Sequence, residues 1–98
     1  MTMELITPSH DDKPSQTWDD GTKAWYRNGV LHRENFPAVE YANGNRSWYH
    51  NGKLHRVGGP AVELIDDDDR YFVYGKRLTQ EEYRSWYFNH IYKSSRAY

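Results

Sequence analysis

The sequence predicts a mainly β fold: an antiparallel meander of tandem β-hairpin units, closed by one C-terminal α-helix. Three observations predict it. A 23-residue unit is written twice and returns a third time in worn form, so that Gly21 to Pro37 reads GTKAWYRNGVLHRENFP and Gly44 to Pro60 reads GNRSWYHNGKLHRVGGP. A period of that length marks units that bury their apolar faces only against their neighbours. Asn-Gly and Asp-Gly pairs recur at close spacing, and such pairs suit the two positive-φ positions of a type I′ hairpin turn. Finally, Thr79-Gln80-Glu81-Glu82 has the form of a helix capping box and precedes an aromatic stripe.

Residues 1–16 read as a polar leader with Pro8, Pro14 and the pair Asp11-Asp12, in which Met3 to Ile6 is a short candidate edge strand. Residues 17–78 hold the units, about two full and one degenerate. Trp25 returns as Trp48, Asn28-Gly29 as Asn51-Gly52, Leu31-His32-Arg33 as Leu54-His55-Arg56, and Pro37 to Glu40 as Pro60 to Glu63. One period further on stand Tyr71, Phe72, Gly75 and Lys76. Two-residue turns would set Tyr26 against Leu31, Trp25 against His32, Tyr49 against Leu54 and Trp48 against His55. A like turn at Asn43-Gly44 would set Val39 against Trp48 and Ala38 against Tyr49. Each unit then carries a Val, Trp and His row on one face and an Ala, Tyr and Leu row on the other, paired across strands. After Ile65 the Asn-Gly turn gives way to the acids Asp66 to Asp69, and Tyr74-Gly75 stands where Asn-Gly stood. Residues 79–92 form the helix, of roughly three turns, with Tyr83, Trp86, Tyr87 and Ile91 on one stripe; it caps the open end of the stack. Residues 93–98 are expected to fray.

Composition narrows the function. At 98 residues the chain is one domain, near the size where a single core barely suffices. Hydrophobic residues make up only 37%, but nine Tyr and four Trp supply large areas, so the expected core is aromatic. With no cysteine there is neither a disulfide nor a thiolate ligand or nucleophile. A net charge of −1 lacks the basic excess of a phosphate-reading protein and the acidic excess of a DNA mimic, so nucleic acid is not an expected partner. No apolar run is long enough to cross a bilayer and the N-terminus has no signal pattern, so no membrane partner and a cytoplasmic location are expected.

The segment Tyr41-Ala42-Asn43-Gly44, Trp48, then Asn51-Gly52-Lys53-Leu54-His55 resembles the MORN repeat, a β-hairpin module of about 23 residues. It is most similar to the variant form WYxNGxLHRxxGPA found in small proteins of phages and large DNA viruses. The resemblance covers about residues 18–78. Arg33 and Arg56 stand where the ordinary unit has Gly, Phe36 replaces the Gly59 of the second copy, and the third copy has lost Trp, Asn and His. MORN modules act as scaffolds and interaction surfaces, and the resemblance implies no catalytic activity.

Candidate chemistry is sparse. His32 and His55 lie one unit apart, at least two strands or roughly 10 Å, too far to share a metal. A structural role fits them better, each packed on its facing Trp and bonded to a loop carbonyl near the Gly-Pro-Ala turn, with Gly29 and Gly52 serving the turns. His10, His50 and His90 show no companion ligands at useful spacing. Arg33 and Arg56 close strands before Pro-marked turns. Their plainer reading is an ion pair with Glu34, Glu40 or Glu63; the functional one is a row of guanidinium groups that takes phosphate or carboxylate. With Trp25 and Trp48 they form the alternative ligand-binding set. Asp66, Asp67, Asp68 and Asp69 lack the EF-hand signature and are either a solvated tip or a patch for a basic partner. No nucleophile elbow, phosphate loop or paired-carboxylate cleft is present.

The leading expectation is therefore a non-enzymatic binding protein, encoded by a phage and inhibiting a host protein in the manner of an anti-CRISPR or other anti-defence factor. Its expected contacts are Asp66 to Asp69 and the helix residues Tyr83, Trp86 and Tyr87. It needs no cofactor and no metal, and acts in the host cytoplasm. The alternative is a nucleotide or second-messenger sponge built on Trp25, Arg33, Trp48 and Arg56. A small metal-dependent nuclease or hydrolase using His32 and His55 ranks below these, and a homodimer is a further expectation.

Overall fold

The computed structural model describes the backbone of residues 13–95 and the side chains of residues 13–91. The Met3 to Ile6 strand expected above, and residues 96–98, lie outside the described residues. In chain order come β1 (Gln16–Thr17), β2 (Lys23–Ala24), β3 (Tyr26–Arg27), β4 (Val30–Leu31), β5 (Val39–Glu40) and β6 (Arg46–Ser47). They are followed by β7 (Tyr49–His50), β8 (Lys53–Leu54), β9 (Val62–Glu63), β10 (Tyr71–Val73), β11 (Lys76–Leu78) and α1 (Gln80–Ser95). The fold is mainly β, antiparallel and hairpin-built, with one C-terminal helix.

The strands do not form one continuous sheet. A five-stranded sheet runs β1-β2-β5-β6-β9, and β3-β4, β7-β8 and β10-β11 are separate two-stranded hairpins. The chain passes from sheet to hairpin at a tryptophan. The Trp25 amide donates to Ala38 O (2.8 Å) while its carbonyl accepts from His32 N (3.0 Å). Trp48 does the same with Ala61 O (2.7 Å) and His55 N (3.1 Å). Both tryptophans are buried, as are the small residues Ala24, Ala38, Ser47 and Ala61 that adjoin the crossings in sequence or by backbone bonds. The core thus combines these with His32, His55, Val39 and Tyr83. The Tyr and Leu row packs less well: Tyr26 is exposed and Leu31, Tyr49 and Leu54 are half-buried.

The hairpin turns follow their sequence signals. Asn28 and Gly29 (φ 53° and 82°), Asn51 and Gly52 (49° and 86°), and Tyr74 and Gly75 (46° and 88°) all take positive φ at both central positions. The registers are Tyr26 with Leu31 and Tyr49 with Leu54, as the turns predict. The Asn43-Gly44 turn differs. Val39 pairs with Ser47, not Trp48, and Glu40 with Arg46. The expected partner of Ala38, Tyr49, is likewise displaced, since Ala38 N bonds Ser47 O (2.8 Å). The reason is local: only Gly44 has positive φ (100°), Gly44 N bonds Tyr41 O, and Tyr41 N bonds Asn45 O. These are the bonds of a three-residue loop with a bulge, which shifts the register by one. The Asp20-Gly21 turn is built the same way, with Gly21 N on Trp18 O and Trp18 N on Thr22 O.

Contacts between successive segments recur at the sequence period. Gly52 N donates to Leu31 O (2.7 Å) and Gly75 N to Leu54 O (2.8 Å). Ala42 N donates to Thr22 Oγ1 (3.0 Å) and Ile65 N to Asn45 Oδ1 (2.8 Å). The capping box forms reciprocally: Thr79 N donates to Glu82 Oε1 (2.9 Å) and Glu82 N to Thr79 Oγ1 (3.0 Å). The helix then runs 16 residues to Ser95, so residues 93–95, expected to fray, continue it. No Gly or Pro stops it at residue 92, and it outlasts the expected three turns.

Candidate binding surface and the side chains behind it

Arg33 and Arg56 are bound into their own turns. The Arg33 guanidinium lies 3.7 Å above the Trp25 ring, donates to Pro37 O (3.1 Å) and meets Glu40 Oε2 (3.4 Å). Arg56 lies 3.7 Å above Trp48, donates to Pro60 O (3.1 Å) and meets Glu63 Oε2 (3.0 Å). Arg46 reaches Glu63 from the other side at 2.6 Å. A flat guanidinium on an indole face with its edge on a carbonyl and a carboxylate is a strong structural use of Arg. The alternative ligand set of Trp25, Arg33, Trp48 and Arg56 is therefore occupied internally: buried rings under cations already paired.

The histidines form a row. His32 Nδ1 accepts the Asn51 amide (2.8 Å) and its Nε2 meets Glu34 Oε2 (2.7 Å). His55 Nδ1 accepts the Tyr74 amide (3.0 Å), and its ring stacks on Tyr74 at 3.8 Å. Both rings thus accept an N–H from the next hairpin, where a bond to a loop carbonyl was expected. His50, for which no companions were expected, lies 4.8 Å from the His32 ring and 5.9 Å from the His55 ring. The row continues to Trp86, 6.0 Å from His55, and to His90, stacked on Trp86 at 4.9 Å. Sequence reasoning missed His50 because it arrives across a hairpin-to-hairpin contact that no turn signal specifies.

Ligand atoms of His32, Glu34 and His50 lie within 4.8 Å of one another, close enough to suggest a metal. The hydrogen bonds argue against it. A backbone amide can only donate, so His32 Nδ1 holds the lone pair and Nε2 carries the proton, which it gives to Glu34. A metal-bound imidazole needs the reverse, with its outer nitrogen donating. That bond, with help from the charges of His50 and Arg27, holds the Glu34 carboxyl below its ordinary range against the opposing effect of burial. Burial, reinforced by His50 and His90, pushes His55 down.

Polar groups lie open at the C-terminal end. Asp66 to Asp69 are all exposed. Their loop is pinned by Asp69 Oδ1 accepting Leu64 N (3.2 Å), by Asp67 Oδ1 accepting Asp68 N (2.7 Å), and by Arg70 on Asp67 (3.2 Å). Between this tip and the start of α1 lies an open groove of about 750 Å³ walled by Asp68, Asp69, Arg70, Tyr71, Arg77 and Glu82. On the helix, Tyr87 is exposed and Trp86 half-buried, but Tyr83 is not a surface residue. Its ring is 5% exposed and lies against Tyr71, and its hydroxyl donates to Arg56 O (2.7 Å) while accepting Gly58 N (2.8 Å) and Gly59 N (3.2 Å). Tyr83 thus fastens the helix to the turn of residues 56–59. Among the described residues, no helix is long and apolar enough to cross a membrane. Comparison with protein-family models, curated proteins and solved structures found no match, so the site stands on its own geometry.

Proposed function

We propose that the chain is a non-enzymatic binding protein of MORN-like hairpin units, encoded by a phage, that captures and inhibits a host protein in the host cytoplasm. The repeat reading is supported by bonds that recur at the sequence period, Gly52 to Leu31 and Gly75 to Leu54 above all. The binding reading rests on one observation: Arg33, Arg56, His32 and His55 are tied to neighbours, while four adjacent carboxylates stand exposed beside a groove. Clustered exposed charge steers an oppositely charged partner and sets specificity more than affinity. The partner's surface is basic, and Tyr87 at the helix edge supplies apolar contact.

The test is affinity capture from a bacterial host lysate with the wild-type chain and with Asp66, Asp67, Asp68 and Asp69 all changed to Asn. A host protein enriched on the wild type and lost on the variant, at unchanged thermal stability of the bait, is the expected result. Equal recovery on both baits removes the tip from the account.

A further inference from the structure

We propose that His55 is a proton-sensitive clasp that holds hairpin β10-β11 and helix α1 on hairpin β7-β8. The bond across this junction runs from the Tyr74 amide to His55 Nδ1 (3.0 Å). Only neutral imidazole can accept there; a proton on Nδ1 sets N–H against N–H and removes the bond. The site is built for this dependence. His55 is 9% exposed, stacked on Tyr74 and edge-on to Trp86, so little water reaches a ring that has become charged. Tyr74 holds φ 46°, a conformation that bulky residues rarely adopt, and the His55 stack and bond keep it there.

Two neighbouring imidazoles, His50 and His90, oppose a charge on the ring. Hairpin β7-β8 presents His50, hairpin β10-β11 presents Tyr74, and α1 presents Trp86 with His90 stacked behind it. From β3-β4 comes His32, paired with Glu34 and through it with Arg27, on the far side of His50. Among the described residues, no carboxylate bonds His55 itself. Burial first, then His50 and His90, hold the His55 pKa below its ordinary 6.5. The unfolded or opened segment therefore binds a proton more readily than the closed one. The closed form loses stability as pH falls from about 6.5 towards the lowered value and levels off below it. Opening would bare Tyr71, Tyr83 and Trp86 and free the Gly58 and Gly59 amides, altering the binding end while β1, β2, β5 and β6 stay paired.

Amide hydrogen exchange followed by NMR on the full chain, expressed as protection factors at pH 7.5 and pH 5, tests the clasp. Protection of Tyr74 and Gly75 is expected to be lower at pH 5 than at pH 7.5 while that of Val39 and Ser47 holds. His55→Asn places an oxygen where Nδ1 stood and accepts the Tyr74 amide at both pH values, so its protection should stay flat. Unchanged protection of wild-type Tyr74, an equal fall in His55→Asn, or a loss spread evenly over the five-stranded sheet would each overturn the proposal. Should His55→Asn fail to fold, His50→Gln decides: removing a charge that resists protonation brings the folded His55 pKa back towards 6.5, so less Tyr74 protection is lost between pH 7.5 and pH 5. A loss that stays the same or grows refutes the row's part in it.

Discussion

Replacing Tyr83 with Phe isolates the fastening of helix to sheet. The substitution keeps the ring against Tyr71 (4.8 Å) and Trp86 (5.6 Å) and deletes only the hydroxyl. Three hydrogen bonds go with it, one donated to Arg56 O and two accepted from Gly58 N and Gly59 N. Gly58 is exposed, so water replaces its bond at little cost; Gly59 and the Arg56 carbonyl are in half-buried residues and are satisfied less fully. At about 1 kcal/mol net for each of the two poorly replaced bonds, the loss is roughly 2 kcal/mol. For a domain of this size that lowers the melting temperature by roughly 8–16 °C. Thermal and urea unfolding monitored by tryptophan fluorescence measure it, with an unchanged urea slope showing that the folded state is otherwise intact. A Tyr83→Phe chain within about 0.5 kcal/mol of the wild type would refute the argument, since surface-like changes fall in that range. The helix would then be held by ring packing alone.

The parts of this fold that were legible in the sequence are the local ones. Asn28-Gly29 and Asn51-Gly52 declare their turns because two positive-φ positions select those residues, and the registers of both hairpins follow. Thr79 and Glu82 declare the helix start for the same reason: the bonds join residues three apart. Asn43-Gly44 misleads because the dipeptide does not fix the loop length. Asn43 keeps negative φ and turns its side chain to cap Asn45 N (2.9 Å), and one added loop residue moves every pair along β5 and β6. Contacts between segments distant in sequence were not legible. Nothing in the spacing of His32, His50 and His55 reveals that hairpin stacking makes them a row, or that each outer ring accepts an amide from the next turn. The role of Tyr83 was hidden likewise, since its partners lie 25 and 24 residues back at a turn whose glycines look like mere loop.

Glycine substitutions at equivalent turns should differ in cost. Gly29→Ala meets no atom within 4 Å and loses only the freedom of φ 82°, about 1 kcal/mol, whereas Gly52→Ala adds a methyl 3.3 Å from Val30 Cβ and should cost more in urea unfolding. Arg56→Lys keeps the charge but cannot lie flat on Trp48 while holding Pro60 O and Glu63; it should lose about 1–2 kcal/mol by the same assay, and a neutral result would count against the stack. Glu34→Gln tests the His32 pair through pH. Because the His32 bond holds the Glu34 carboxyl below its ordinary 4.5, the folded chain gains stability above that value. It loses the gain as pH falls from 4.5 through the lowered folded value, where the carboxyl takes up its proton. Urea midpoints measured from pH 6 down to pH 3 should therefore fall less steeply in Glu34→Gln than in the wild type. This effect begins at 4.5, below the 6.5 at which the His55 effect begins. Parallel slopes for the two chains would mean that the 2.7 Å contact carries no linkage, leaving His32 held by the Asn51 amide and its packing alone.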